Sequence, residues 1–233
     1  MRTIGILGGM SWESTVFYYQ HINQLVKNAR GGLTSAPMMI DSVDFAQMAQ
    51  WQREGHWGLA AQYLGGRARV LQDAGCQAIG IATNTMHKVY DEVAAMIDVP
   101  LVHIADAVCN EARAQHITHV LFLGTEFSMS EAFLRERYLT HGVRWTLPEQ
   151  NERAWIHEVI FQRLCQGIVT QTDQETFAQL IHQYSQQADT PQAVVLGCTE
   201  LAMLVGDAQM CTLPILDSAY IHARTLADVV LSD

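Results

Sequence analysis

Of the five cysteines in the chain (Cys76, Cys109, Cys165, Cys198 and Cys211), one stands where a thiol can do chemistry. Cys198 closes the apolar run Ala193 to Gly197 and is followed at once by Thr199 and Glu200, the pattern of a strand end running into a helix start. Free backbone N–H groups and the positive end of a helix stabilise a thiolate there, so the sequence predicts a lowered pKa and a base or nucleophile. A second landmark lies 115 positions earlier, where Thr83 closes the run Gln77 to Ala82 and leads into Asn84 and Thr85. Two hydroxyls and an amide at a strand end can hold the carboxylate and ammonium groups of a small zwitterion. The same residues also suit the capping of a helix start, and both uses draw on the same free N–H groups. His87 and the pair Thr199 and Glu200 are placed to tune a proton transfer, although a lone histidine at a helix start more often serves a hydrogen-bonded structural role. The other four cysteines read as free structural thiols. An odd number without CxxC spacing implies neither a disulfide framework nor a structural zinc site.

Both landmarks need strands behind them. Thr3 to Leu7 is an apolar run ending at Gly8 and Gly9, followed from Ser11 to Asn28 by helical spacing at Val16, Tyr19, Ile22 and Val26. His119 to Leu123 ending at Gly124 and Thr125 repeats this, with Ser128 and Glu131 as a capping box for the next helix. Gly8 and Gly124 are 116 apart, almost the offset between Thr83 and Cys198, which is the mark of an internal duplication. Each half then passes through a short apolar stretch ending in an Asp, Asp106 or Asp217, placed to cap a further helix. Helical stretches are expected at about 56–73, 152–167 and 172–187. Strand and helix alternate, which predicts two pseudosymmetric α/β lobes, each with a mainly parallel sheet flanked by helices. The expected division is residues 1–113 and 114–216, with a C-terminal helix at about 217–231 packing back on the first lobe. Ligands gather at the carboxyl ends of such strands, so Thr83 and Cys198 are expected to serve one cleft between the lobes.

Composition narrows the chemistry. The 233 residues are 49% hydrophobic and 16% charged, ordinary for a globular α/β chain. A formal charge of −10 argues against nucleic acid or an anionic membrane as partner, because both require cationic side chains to displace counterions. Neither a signal peptide nor a run of about 18 apolar residues is found, which points to the cytoplasm. Gly8-Gly9-Met10-Ser11 lacks both the dinucleotide and the phosphate-loop spacing, so it suits close backbone approach to a small ligand, with Ser11 as the helix cap. The only lysines are Lys27, late in a surface helix, and Lys88, in the Thr83 helix, which makes a pyridoxal Schiff base a poor fit.

Leu7-Gly8-Gly9-Met10-Ser11-Trp12-Glu13-Ser14-Thr15, Thr83-Asn84-Thr85-Met86-His87-Lys88 and Leu196-Gly197-Cys198-Thr199-Glu200 together resemble the aspartate/glutamate racemase family. The resemblance spans the chain. It implies a two-lobed pseudosymmetric α/β fold, no cofactor or metal, a homodimer, and two cysteines that exchange an α-proton from opposite faces. Cys198 matches the second of these cysteines. Thr83 stands in place of the first, as in the subset of the family that also carries Trp12 and the Thr-Asn-Thr-Met-His motif. Asn84, Thr85 and Thr199 match substrate-holding positions, and Met10, Gln52, Thr125 and Glu200 are further pocket candidates. Gln52 stands where some members carry a basic residue for a side-chain carboxylate, and Gln166 lies near where others carry lysine. The resemblance thus implies a racemase of a small acidic amino acid working from Cys198 to the Thr83 side. The alternatives are a decarboxylase or cis-trans isomerase of small dicarboxylates on the same scaffold, and an amino-acid-binding module without turnover.

Overall fold

In the computed structural model, residues 1–205 and 212–232 are described, so Cys211 lies outside the described residues. The chain forms two compact units, Met1–Ile104 with Tyr220–Asp233, and Ala105–Ala219.

The first unit is built from β1 (Ile4–Gly8), α1 (Trp12–Arg30), β2 (Met38–Ser42), α2 (Phe45–Glu54), α3 (Trp57–Asp73), β3 (Ala78–Ile81), a 3-10 turn Thr85–Val89, α4 (Tyr90–Ala94) and β4 (Leu101–Val102), leading into α5 (Ile104–Ala114). The second contains β5 (His119–Leu123), α6 (Glu126–Ser130), α7 (Ala132–Thr140), β6 (Arg144–Thr146), α8 (Gln150–Gln162), a 3-10 turn Leu164–Gln166, α9 (Gln171–Ser185), β7 (Ala193–Leu196), a 3-10 turn Thr199–Leu201, α10 (Ala202–Val205) and β8 (Ile215–Asp217). The last helix, α11 (Ser218–Leu231), returns the chain to the first unit.

The two sheets have the same plan. Their strand orders are β2-β1-β3-β4 and β6-β5-β7-β8, every pair parallel. This is the duplication read from the glycine and strand-end spacings. The central strands β1, β3, β5 and β7 are buried at every position, as parallel strands covered on both faces must be, so they appear in the sequence as unbroken apolar runs. Leu7, Met48, Leu64, Ile79, Ile81 and Val93 centre one core, and Leu121, Ile156, Phe177, Ile181, Val194 and Leu196 the other. Each such side chain contributes about 1.5–3 kcal/mol on leaving water.

Several local expectations change. Ser11 caps α1 by accepting from the Ser14 N–H, as read, but the buried face carries Tyr18, Ile22 and Val26, while Val16 and Tyr19 point outward. The capping box at Ser128 and Glu131 does not form: Thr125 caps α6 instead, accepting from the Ser128 N–H, and the buried Ser128 lies inside that helix. Asp106 is not a cap either. It sits in the first turn of α5 and takes paired hydrogen bonds of 2.6 Å from Arg137, with His141 3.0 Å away; burial pushes its pKa up, but the Arg137 guanidinium and the contact with His141 together outweigh this and lower it. Asp217 does cap α11, accepting from the Ala219 N–H at 3.0 Å. Among the described residues no helix is long and apolar enough to cross a membrane.

Candidate active site

In the second unit, Cys198 follows β7 through Gly197. The Gly197 N–H donates to the Leu123 carbonyl at 2.6 Å, and the buried Ser218 hydroxyl donates to the Leu196 carbonyl at the same distance. The strand end is therefore pinned from β5 on one side and from the start of α11 on the other. An alanine Cβ at Gly197 would lie 2.3 Å from the Phe122 ring, so only glycine lets the chain pass here. Cys198 itself is extended, with φ −145° and ψ 132°, and its thiol donates to a Glu200 carboxylate oxygen at 2.9 Å. The same oxygen accepts from the Thr199 hydroxyl at 3.0 Å. Glu200 is 8% exposed. Two predicted residues, Cys198 and Thr199, thus converge on the buried carboxylate of a third, Glu200.

The electrostatics reverse one expectation. Burial first, then the Glu200 charge and the thiol's hydrogen bond to it, hold the Cys198 thiol well above its ordinary pKa, although the residue as a whole is only partly buried. A helix start lowers a thiol pKa only if it supplies an aligned set of N–H groups. Here Cys198 precedes a three-residue 3-10 turn, and the backbone contact from Glu200 is the weakest of the influences. The resting group is a thiol with its proton already directed at a carboxylate. Thr125, at the end of neighbouring β5, spends its hydroxyl on the α6 cap and on Ser128 Oγ at 2.9 Å. Gln166 lies in the 3-10 turn after α8.

In the first unit, Thr83 follows β3, held by the Ala82 N–H bonded to the Leu7 carbonyl at 2.9 Å. Asn84 opens the 3-10 turn but makes no side-chain capping bond, so capping does not account for it. Asn84 and Thr85 are both buried, at 7% and 9% exposure. The Gln52 amide, from α2, donates to Met86 Sδ at 3.0 Å, which brings a residue 31 positions away onto the Thr83 segment. Met10 is buried in the same core cluster as Met86. Lys88 places its ammonium 4.1 Å from the Trp57 ring centroid, a cation–π contact. The glycine turn approaches protein backbone: an added Cβ at Gly9, φ 87°, would lie 2.3 Å from the Val43 carbonyl, and the Gly9 N–H donates to Thr15 Oγ1 at 2.8 Å. That turn thereby ties the end of β1 to α1 and packs on the backbone that follows β2.

A group invisible in the sequence surrounds this segment. His87, Tyr90, His103, His222 and Tyr18 pack ring against ring, drawn from four elements and their connections. Burial and the neighbouring His87 lower the His222 pKa to about 3. No spacing announces the cluster, because its members are single rings scattered over more than 200 positions. Among the described residues, no three His, Cys, Asp or Glu side chains gather in a way that would hold a metal.

The comparisons agree on the family. The Asp/Glu/Hydantoin racemase family pattern matches residues 7–226. The chain is 24% identical over 232 residues to the broad specificity amino-acid racemase RacX of Bacillus subtilis, covering 98% of each. A crystal structure from Yersinia pestis, provisionally assigned as an Asp/Glu racemase, is 40% identical with a TM-score of 0.93 over the whole of both chains. An aspartate racemase homologue from Pyrococcus horikoshii is 30% identical with a TM-score of 0.89, again over the whole of both. With the duplicated sheets and the strand-end motifs of Thr83 and Cys198 in place, the chain belongs to the Asp/Glu/hydantoin racemase family.

Proposed function

We propose that the protein racemises a small acidic amino acid without a cofactor, with Cys198 removing the α-proton and reprotonation coming from the side of Thr83. The observation that carries this reading is the Cys198 thiol hydrogen-bonded to Glu200. A thiol held above its ordinary pKa is no base until it loses its proton, and here an acceptor for that proton is already in contact. The thiol gives its proton to Glu200, and the resulting thiolate takes the substrate's α-proton. The electron pair left on the α-carbon spreads onto the substrate carboxylate, which Asn84, Thr85 and Thr199 are suited to hold by hydrogen bonds. Reprotonation falls to the Thr83 hydroxyl or to a water it positions; Cys198 keeps the substrate's proton, and Glu200 gives up the proton it accepted to solvent, which restores the one lost from the Thr83 side. Met10 and Gln52 in the first unit and Thr125 in the second are the further candidates for contact with substrate. Gln52 is an uncharged amide, so recognition of the substrate side chain rests on hydrogen bonding and not on a fixed positive charge at that position.

A hydroxyl is a far weaker acid than a thiol, so the two sides of the reaction are unequal. Incubation with L- and D-aspartate, glutamate and several neutral amino acids in D2O tests the reading, with α-proton loss followed by NMR. Exchange is expected with wild-type protein and absent in Cys198→Ala, with one enantiomer converted faster in initial rate. Persistent exchange in Cys198→Ala would refute the role of the thiol, and equal initial rates would refute the one-sided mechanism. The replacement of a second thiol by Thr83 also favours a second reading, decarboxylation or cis-trans isomerisation of a small dicarboxylate. CO2 release or alkene isomerisation without α-exchange would identify it. Assembly as a homodimer and residence in the cytoplasm complete the proposal.

A further inference from the structure

The β3–β4 ladder ends after the pair Gly80 and Val102. Beyond it the chains part, one running to Thr83 and the other turning into α5 at Ile104. His87 spans the gap. Its Nδ1 lies 2.8 Å from the Thr83 carbonyl oxygen, and the Ile104 N–H donates to its Nε2 at 3.1 Å. An amide N–H only donates and a carbonyl only accepts, so one tautomer satisfies both bonds: the proton on Nδ1 and the lone pair on Nε2. The neutral imidazole thus stands in for ladder bonds that the two-residue β4 is too short to make. The ring is 3% exposed. Tyr90 stacks on it at 10° between planes, and His103 and His222 lie 4.6 and 5.9 Å away between ring centroids.

The next bonds outward brace the same stretch. The Tyr90 hydroxyl donates to the Leu101 carbonyl at 2.7 Å, and His222 donates from Nε2 to the Val102 carbonyl at 3.0 Å. His222 Nδ1 then accepts from the Tyr18 hydroxyl at 2.8 Å. The peptide groups around the end of β4 are therefore held by side chains from α4, α11 and the Thr85–Val89 turn, with Tyr18 of α1 bonded in turn to His222. Of these side chains, His87 also reaches the Thr83 carbonyl.

We propose that His87 is a positioning residue for the Thr83 side of the reaction: by tying the Thr83 carbonyl to the Ile104 amide it fixes the peptide plane from which the Thr83 side chain projects. The inference rests on the reading of Thr83 as the reprotonating side. It assigns His87 no contact with substrate. A proton removed at Cys198 and replaced there by solvent deuterium gives exchange with retention, whereas delivery from the Thr83 side gives inversion. Loss of the His87 bridge therefore lowers inversion more than retention.

The test compares His87→Leu, which makes neither bond, His87→Gln, which can accept from Ile104 only, and His87→Asn, whose amide can donate to the Thr83 carbonyl. In D2O with the preferred enantiomer, Leu and Gln are expected to lose inversion by about tenfold or more relative to retained exchange, as small misplacements of reacting groups do, and Asn to recover most of it. Parallel loss of inversion and retention in all three variants would show a merely structural ring and overturn the proposal. So would an unchanged ratio in His87→Leu. Two-bond 15N correlation spectra of the wild type supply a readout independent of turnover, with the His87 proton expected on Nδ1; a proton on Nε2 overturns the bridge. If exchange survives Cys198→Ala, the role of the thiol fails on that result alone, and the tautomer together with faster amide exchange at Ile104 in His87→Leu still decides whether the bridge exists.

Discussion

Replacing Gly197 with alanine places one methyl group where the structure leaves no room, immediately before Cys198. The new Cβ would lie 2.3 Å from Phe122 Cζ, 2.7 Å from Cε1 and 3.0 Å from the Leu123 carbonyl oxygen. Phe122 is fully buried, with its ring 4.1 Å from Trp145 and 6.0 Å from Tyr138 between centroids, so it cannot swing aside cheaply. The Leu123 oxygen is backbone and is already bonded to the Gly197 N–H. Overpacking of a tight core costs about 1–3 kcal/mol, and a clash against both an immobile ring and backbone belongs in the upper half of that range. For a chain of this size about 2–3 kcal/mol lowers Tm by roughly 4–12 °C. If the strain is relieved by shifting the end of β7, Cys198 moves with it, and a displacement near 1 Å costs on the order of 10²-fold in rate. Thermal unfolding and α-proton exchange would be measured for Gly197→Ala, Phe122→Leu and the double variant. Leucine removes the two ring atoms nearest the new methyl, so the double variant is expected to be more stable than the sum of the single losses, by about 1 kcal/mol or more. An unchanged Tm in Gly197→Ala, or strictly additive losses, would refute the packing argument.

Glu200→Gln removes the negative charge facing Cys198 while keeping the shape, so the thiol pKa falls. Alkylation by iodoacetamide should begin at lower pH than in the wild type, whereas α-proton exchange should drop by about 10²-fold or more for want of the proton acceptor. His222 gives a pH signature of the fold. Its folded pKa, lowered to about 3 from 6.5, means that the unfolded chain binds the additional proton between those values. The stability this neutral ring allows is complete above about pH 6.5 and is lost as pH falls toward 3, with a slope of about 1.4 kcal/mol per pH unit. Unfolding between about pH 5.5 and 4 should show this slope in the wild type and lose about that much of it in His222→Leu, even though the latter also gives up its bonds to Tyr18 and Val102. Asp106→Asn removes the charge paired with Arg137 and His141 in the second unit, and should destabilise by about 1–3 kcal/mol at pH 7, read by chemical unfolding. Its deficit should narrow below the pH at which the wild-type carboxylate itself becomes protonated.

The sequence by itself determined the parts that depend on short-range pattern. Central parallel strands covered on both faces must be apolar at every position, so β1, β3, β5 and β7 could be read directly, and the matched ends at Gly8 and Gly124, Thr83 and Cys198 revealed the duplication. The edge strands β2 and β6 were not legible, because they are partly exposed and carry no unbroken buried run. Ser11 and Asp217 announced their caps, since a cap bonds within three residues, but Asp106 was misread because Arg137 and His141 come to it from a different helix. The same division applies to the site. Sequence selected Cys198 and Thr83 from their places at strand ends. The local 3-10 turn brings the Glu200 carboxylate onto the thiol two residues away, reversing the expected pKa, and only the tertiary structure laid His87 between Thr83 and Ile104. A charge or a lone pair acts over a few ångströms of space, and no periodicity along the chain records which distant residues the fold brings within that distance.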